Sequence, residues 1–107
     1  GGLVSVADSK SRTPLHYVSE SGAIECVDMM LKAPDALAAC NHADTKGRTP
    51  LHVSTLHSRN AVISRLLEAG ADPSIEDYKG ATAFVIAMNG CNGEATLAFL
   101  DHMAAEG

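Results

Sequence analysis

The chain has 107 residues, of which 46% are hydrophobic, 4% aromatic and 20% charged, and its formal net charge at pH 7 is -5. This length is typical of a single domain, and the apolar fraction is large enough to build a core. The acidic balance argues against direct nucleic-acid binding, and the sequence contains neither a signal peptide nor an apolar run long enough to cross a membrane.

The first predicted unit consists of a turn and two helices. Residues 8–12 have the composition of a turn, Thr13 suits the N-cap of a helix, and Pro14 suits its first position, where a missing N–H costs nothing. This helix is predicted to run to about Ser21. A second helix is predicted to end near Lys32, because four residues recur at the spacing of one buried face: Cys26, Val27, Met30 and Leu31.

An insertion follows the second helix, since residues 33–44 hold three residues more than the corresponding part of the next unit. Pro34 can end the preceding helix, and Asp35 can cap a further helical turn. The simpler interpretation is a tolerated insertion in a surface loop, and the alternative is a contact with a partner through Leu37.

The second unit repeats the first in phase. The sequence Thr-Pro-Leu-His occurs at positions 13 and 49, an interval of 36 residues. Gly47 suits a turn position with positive φ, and the following helices are predicted to end near Ser58 and at Glu68. Gly70 is expected to stop the second helix. The buried face of that helix is again marked by four apolar residues: Val62, Ile63, Leu66 and Leu67.

The third unit departs from this pattern. Its copy of the motif, Thr-Ala-Phe-Val at position 82, has lost the proline and the histidine, and residues 84–88 are all apolar. The two helices are predicted to end near Gly90 and His102, with a buried face formed by Ala95, Thr96, Phe99 and Leu100. Because a terminal repeat needs a polar outer face, we expect that further repeats follow in a parent chain, that this end pairs with another copy, or that the cap is imperfect; the first is favoured.

Two segments, residues 47–52 and 66–72, carry a resemblance to the ankyrin-repeat family that covers roughly residues 4–103. The resemblance implies an all-α solenoid of stacked helix pairs with β-hairpin finger loops, in a single domain. The repeats would span about 8–43, 44–76 and 77–107, and residues 1–7 would be the tail of a preceding repeat or a cloning remnant. The chain would then be a segment of a longer protein.

The resemblance also divides the motif residues from the binding residues. It implies that the histidine of each motif bonds the threonine hydroxyl and nearby backbone. The residues with a structural role would be Thr13, Pro14, His16, Gly47, Thr49, Pro50, His52 and Gly70. Partners would contact the finger tips and the exposed face of the first helix in each unit, where Glu20 also maps. The candidate partner-binding residues are Lys10, Arg12, Lys46, Arg48, Leu56, His57, Tyr78 and Lys79.

Each of these candidate residues has either a structural role or a role in binding a partner. Five of the eight basic residues fall in the predicted turns, where they are ordinary turn residues of the family or a surface that steers an acidic or phosphorylated partner. Tyr78 is an anchor for a partner or packs on its own finger, and Leu56 is a weaker candidate.

No pattern of catalytic or metal-binding residues stands out, so we expect no enzymatic activity, no cofactor and no metal. The odd number of cysteines, at positions 26, 40 and 91, suits free thiols in a reducing, intracellular compartment. The predicted function is protein–protein interaction through a concave surface. The alternative is a regulatory or assembly arm of a larger enzyme, channel or transcription regulator, which docks through the apolar third repeat.

Overall fold

The computed structural model describes residues 6–106, which form helices without any strand. Most of the predicted tail at residues 1–7, and Gly107, lie outside this range. The helices are α1 (Pro14–Ser21), α2 (Ile24–Met30), α3 (Ala36–Cys40), α4 (Pro50–Leu56), α5 (Asn60–Glu68), α6 (Ala83–Asn89) and α7 (Gly93–Glu106).

The helices pack as three successive pairs. Within the pairs, α1 contacts α2, α4 contacts α5 and α6 contacts α7. Between the pairs, α4 lies against both α1 and α6, and α5 lies against both α2 and α7. The middle pair is therefore enclosed by its neighbours, and each unit buries its apolar side against the next rather than against itself.

This enclosure decides which of the predicted buried faces is buried in full. All four residues of the predicted buried face of α5 are buried. In α2 only Val27 is buried and Cys26 is exposed, whereas in α7 Ala95 and Phe99 are buried and Leu100 is 46% exposed. The predictions for Cys26 and Leu100 were therefore wrong, because α2 and α7 each pack on α5 with one side only.

Three helix ends also differ from the predicted ones. Helix α2 ends at Met30, two residues earlier than predicted, and α4 ends at Leu56 because Ser58 takes a positive φ of 55°. Helix α7 continues to Glu106. Its length has a simple cause, since Met103 stands where the second unit has Gly70, and a left-handed glycine is what stops such a helix.

The insertion of the first unit forms α3, with Asp35 at its N-cap position. Ala39 and Cys40 are fully buried in the core, so this segment is more than a surface loop. Burial raises the pKa of the Cys40 thiol to about 11, which keeps the thiol protonated. The side chain of Leu37 is half exposed and lies beside Gly70.

The turns before α1, α4 and α6 have one geometry, and we refer to residues 8–12, 44–48 and 77–81 as the first, second and third finger. In each finger the N–H of the leading aspartate donates to the carbonyl of the residue four positions later. One carboxylate oxygen of that aspartate accepts two further backbone N–H groups, at 2.8–3.0 Å. Because each finger is closed by its own aspartate rather than by a ladder of strand pairs, the expected β-hairpins are replaced by tight turns among the described residues.

Successive units are joined by the histidine of the motif. In α1, His16 Nδ1 accepts the N–H of Thr13 at 3.1 Å, and His16 Nε2 lies 2.8 Å from the carbonyl oxygen of Arg48. Since a carbonyl oxygen only accepts hydrogen bonds, Nε2 carries the proton and the imidazole is neutral. His52 makes the same pair of contacts with Thr49 and with the carbonyl of Ala81. Each histidine thus fixes one helix to the next finger.

The fingers also bond directly to one another. The N–H of Thr45 donates to the carbonyl of Lys10, and the N–H of Tyr78 donates to the carbonyl of Lys46. The ring of Tyr78 lies against Gly47, so this tyrosine packs on the preceding finger rather than on its own, although 78% of it is exposed.

Gly47 and Gly80 offer a matched pair of substitutions. Both have positive φ, 77° and 80°, but a Cβ on Gly47 would lie 2.6 Å from Cδ1 of Tyr78, whereas one on Gly80 meets nothing closer than 3.7 Å. We expect Gly80→Ala to lower the free energy of unfolding by about 1–2 kcal/mol. Gly47→Ala should cost about 1–3 kcal/mol more, through the clash with Tyr78. Urea unfolding measures both, and equal losses would contradict the close packing of the fingers.

The neutral state of His16 predicts how stability depends on pH. Burial, the largest cause, lowers the pKa of His16 below its ordinary value of 6.5. The folded protein therefore binds fewer protons than the unfolded chain once the pH falls below 6.5. The contribution of His16 to stability is present in full above that pH and is lost as the pH falls toward the lowered value.

The test compares the wild type with His16→Gln, which retains an amide donor toward the Arg48 carbonyl and does not titrate. Urea unfolding at about pH 7.5 and about pH 5.5 should show a smaller acid-induced loss of stability in the variant. An equal loss in the two proteins would show that His16 does not contribute to the pH dependence.

Candidate partner-binding groove

The arginines of the first two fingers reach from one unit to the next. Arg12 Nε lies 4.0 Å from Oδ2 of Asp44, and Arg48 Nε lies 3.8 Å from Oδ2 of Asp77. Burial acts to raise the pKa of Asp77, but the N–H groups of Ala81 and Lys79, with the charge of Arg48, bring it below its usual value. Each arginine therefore forms an ion pair with the aspartate of the neighbouring finger.

The series of arginines stops at the third finger. Ala81 occupies the position that corresponds to Arg48, and Val85 occupies the position of His52. The third unit therefore lacks both polar side chains with which the first two units hold their successors. Thr82 still caps α6, since its hydroxyl accepts the N–H of Val85. The third unit therefore keeps the helix start of the motif but not the histidine and arginine contacts to a following finger.

Arg12 has two further neighbours within its own unit. Its guanidinium carbon lies 4.6 Å from the centre of the Tyr17 ring, and its Nη2 lies 3.4 Å from a carboxylate oxygen of Glu20. The hydroxyl of Tyr17 donates to Asp8, and this hydrogen bond lowers the pKa of Asp8 and raises that of Tyr17. Tyr17 is not among the binding residues predicted from the sequence, although it lies on the same face of α1 as Glu20.

A groove of 340 Å³ lies between the first two fingers and the helices α1 and α4. We call it the finger groove. Its lining residues are Lys10, Arg12, Glu20, Asp44, Thr45, Lys46, Arg48, Val53, Leu56 and His57. Six of the eight candidate binding residues from the sequence are thus brought together. Tyr78 and Lys79, on the third finger, lie outside it.

The finger groove is basic within an acidic chain. Four of its lining residues are lysine or arginine and two are acidic, whereas the chain as a whole carries a formal charge of -5. The side chains of Lys10 and Lys46 are exposed at its edge, and Leu56, which is 42% exposed, adds an apolar contact on α4. The groove therefore offers separated positive charges around a small apolar surface.

Several other titratable groups among the described residues serve the fold. The imidazoles of His16 and His52 are occupied by backbone partners, and the finger aspartates accept backbone N–H groups. Within residues 6–106 no group of three His, Cys, Asp or Glu side chains is placed to hold a metal ion. No helix in that range is long and apolar enough to cross a membrane.

Comparison with known proteins accounts for the repeated geometry. The family model described as ankyrin repeats, in three copies, matches residues 3–77 and so ends at the first residue of the third finger. No curated protein is similar enough to this sequence to be matched with it. The matched region includes both Thr-Pro-Leu-His motifs and the whole finger groove. The chain therefore belongs to the ankyrin-repeat family.

Proposed function

We propose that this protein is a non-catalytic interaction module, which binds a segment of a partner protein in the finger groove. Ankyrin repeats are generally protein–protein interaction modules. The observation that carries the proposal is the finger groove itself, which is lined by four basic side chains and by the exposed Leu56. Binding there needs little reordering, since the backbone of both fingers is bonded to its neighbours.

The charge of the finger groove indicates the kind of partner. An acidic or phosphorylated segment would be attracted by Lys10 and Lys46, whose ammonium groups remain exposed, while Leu56 contacts an apolar side chain of the same segment. Long-range attraction of this kind mainly increases the association rate and weakens with salt. Tyr78 and Lys79, one finger further along, would extend the contact to a longer segment.

The proposal also covers the domain organisation of the chain and its location in the cell. We treat residues 1–107 as one domain of three repeats, at about 8–43, 44–76 and 77–107, stacked as a solenoid whose finger turns take the place of β-hairpins. An intracellular location is supported by the three cysteines, none of which forms a disulfide. No cofactor is required for this role.

Charge reversal in the finger groove tests the proposal. A protein captured from lysate by the wild type should bind the Lys10→Glu, Lys46→Glu variant at least about tenfold more weakly, and the loss should appear mainly in the association rate at low salt. The control is Lys32→Glu, Arg65→Glu, which changes the net charge equally at exposed basic residues outside the groove. If both variants lost the captured protein equally, the finger groove would not be the binding site.

A second candidate function rests on the outer face of the third unit. Four apolar side chains are exposed there or at the end of α7: Val85, Met88, Leu100 and Met103. Since the unit also lacks the arginine and histidine that link the other units, a contact on this face would be apolar rather than hydrogen-bonded. This arrangement fits a regulatory or assembly arm that docks on other domains of a larger protein.

The two candidate functions can be separated in the same capture experiment. Under the second, Met88→Lys with Leu100→Lys should release proteins that the finger-groove variant still retains, because two charges would be buried in an apolar contact. The control, Met29→Lys with Leu97→Lys, replaces two exposed apolar residues that lie away from this face. Retention of every captured protein by the Met88, Leu100 variant would argue against docking through the third unit.

A further inference from the structure

A carboxylate of the protein itself lies inside the finger groove. One oxygen of Glu20, Oε1, lies 3.4 Å from Nη2 of Arg12 and 3.4 Å from Nε2 of His57. Glu20 belongs to α1, Arg12 to the first finger and His57 to the C-cap of α4. The Glu20 carboxylate therefore lies between two repeats, in a groove that Asp44 also lines.

The two side chains of this ion pair differ in solvent exposure. The Arg12 side chain is 16% exposed and is held between the Tyr17 ring and Asp44. The Glu20 side chain is 43% exposed, and its carboxylate contacts Arg12 and His57. A half-exposed ion pair of this kind contributes little to stability. Glu20 can consequently turn outward while Arg12 stays in position.

Comparison of the repeats shows that the fold does not need this glutamate. In the second unit, Leu56 corresponds to Glu20, because it lies one repeat interval of 36 residues later. Among the described ion pairs, Arg48 accordingly has Asp77 as its acidic partner and none from its own helix. Both units nevertheless have the same capped helix and the same finger. The repeat geometry therefore does not require a glutamate at this position, and Glu20 is specific to the finger groove.

We propose that Glu20 occupies, in the unbound protein, the site on Arg12 that a carboxylate of an acidic partner segment takes in the complex. The proposal rests on the function assigned to the finger groove and identifies the residue that sets its affinity. Binding then exchanges one carboxylate for another on Arg12, and Glu20 moves into solvent. A neutral segment makes no such exchange, so removing Glu20 should strengthen the binding of acidic segments in particular.

The test uses the intact chain and a hexaglutamate peptide, with binding followed by NMR titration at low salt. Glu20→Gln should bind the peptide about three- to tenfold more tightly than the wild type, because the internal competitor is gone. The matched control is Glu25→Gln, which makes the same charge change at an exposed position in the first turn of α2, outside the groove. Equal gains in the two variants would reduce the effect to overall charge and overturn the proposal.

A second comparison asks whether the gain acts through Arg12. Adding Glu20→Gln to an Arg12→Gln background should produce no increase in affinity, since the shared site is then missing. Thermal unfolding of each variant establishes that it is folded at the titration temperature; if Arg12→Gln is not, Arg12→Lys takes its place, and the gain should be reduced. A full gain without Arg12 would contradict the exchange. So would a gain for a phosphoserine peptide without one for hexaglutamate, which would assign the site to phosphate.

The outcome separates this inference from the function on which it rests. If hexaglutamate binds the wild type and Glu20→Gln equally, and Lys10→Glu with Lys46→Glu weakens both, the finger groove stands and the role of Glu20 falls. If hexaglutamate binds neither protein, the inference also falls. In that case the finger-groove variant in the capture experiment decides the proposed function independently.

Discussion

The neutral histidine buried at the start of α1 and of α4 is the contact on which the rest of the structure depends. Each imidazole accepts a hydrogen bond from the threonine N–H of its own unit and donates one to a carbonyl of the next finger. A ring with one donor and one acceptor matches these two partners only in its neutral form. It therefore joins local helix capping to the packing of one repeat on another, and this junction places the fingers.

The finger groove is a consequence of that placement. Once His16 holds the Arg48 carbonyl, the first and second fingers lie side by side, and their backbones bond through Thr45 and Lys10. The arginines turn toward the aspartates of the following finger, while the lysines remain exposed at the rim. In each of these two repeats the arginine thus links neighbouring fingers, whereas the lysine remains available to contact a partner.

The third unit shows what happens when the motif changes. With Val85 and Ala81 in place of a histidine and an arginine, the polar contacts that would extend to a further finger are missing, while apolar side chains remain exposed on that side. The family match also ends where this unit begins. The stacking of α6 and α7 on the middle pair is unaffected, because it depends on residues such as Ala83, Ala87 and Phe99, which face inward.

The sequence by itself determined the repeat, its period and the starts of α1 and α4. These features are local, since Thr and Pro at the N-terminus and Gly in the turn act through the backbone of a few neighbouring residues. Tertiary structure decided burial at Cys26 and Leu100, the packing of α3 into the core, and the position of the Tyr78 ring on Gly47. Only the folded chain brings Arg12, Glu20 and His57 together, because they come from three elements. Their proximity depends on how two repeats stack, which no spacing within one repeat encodes.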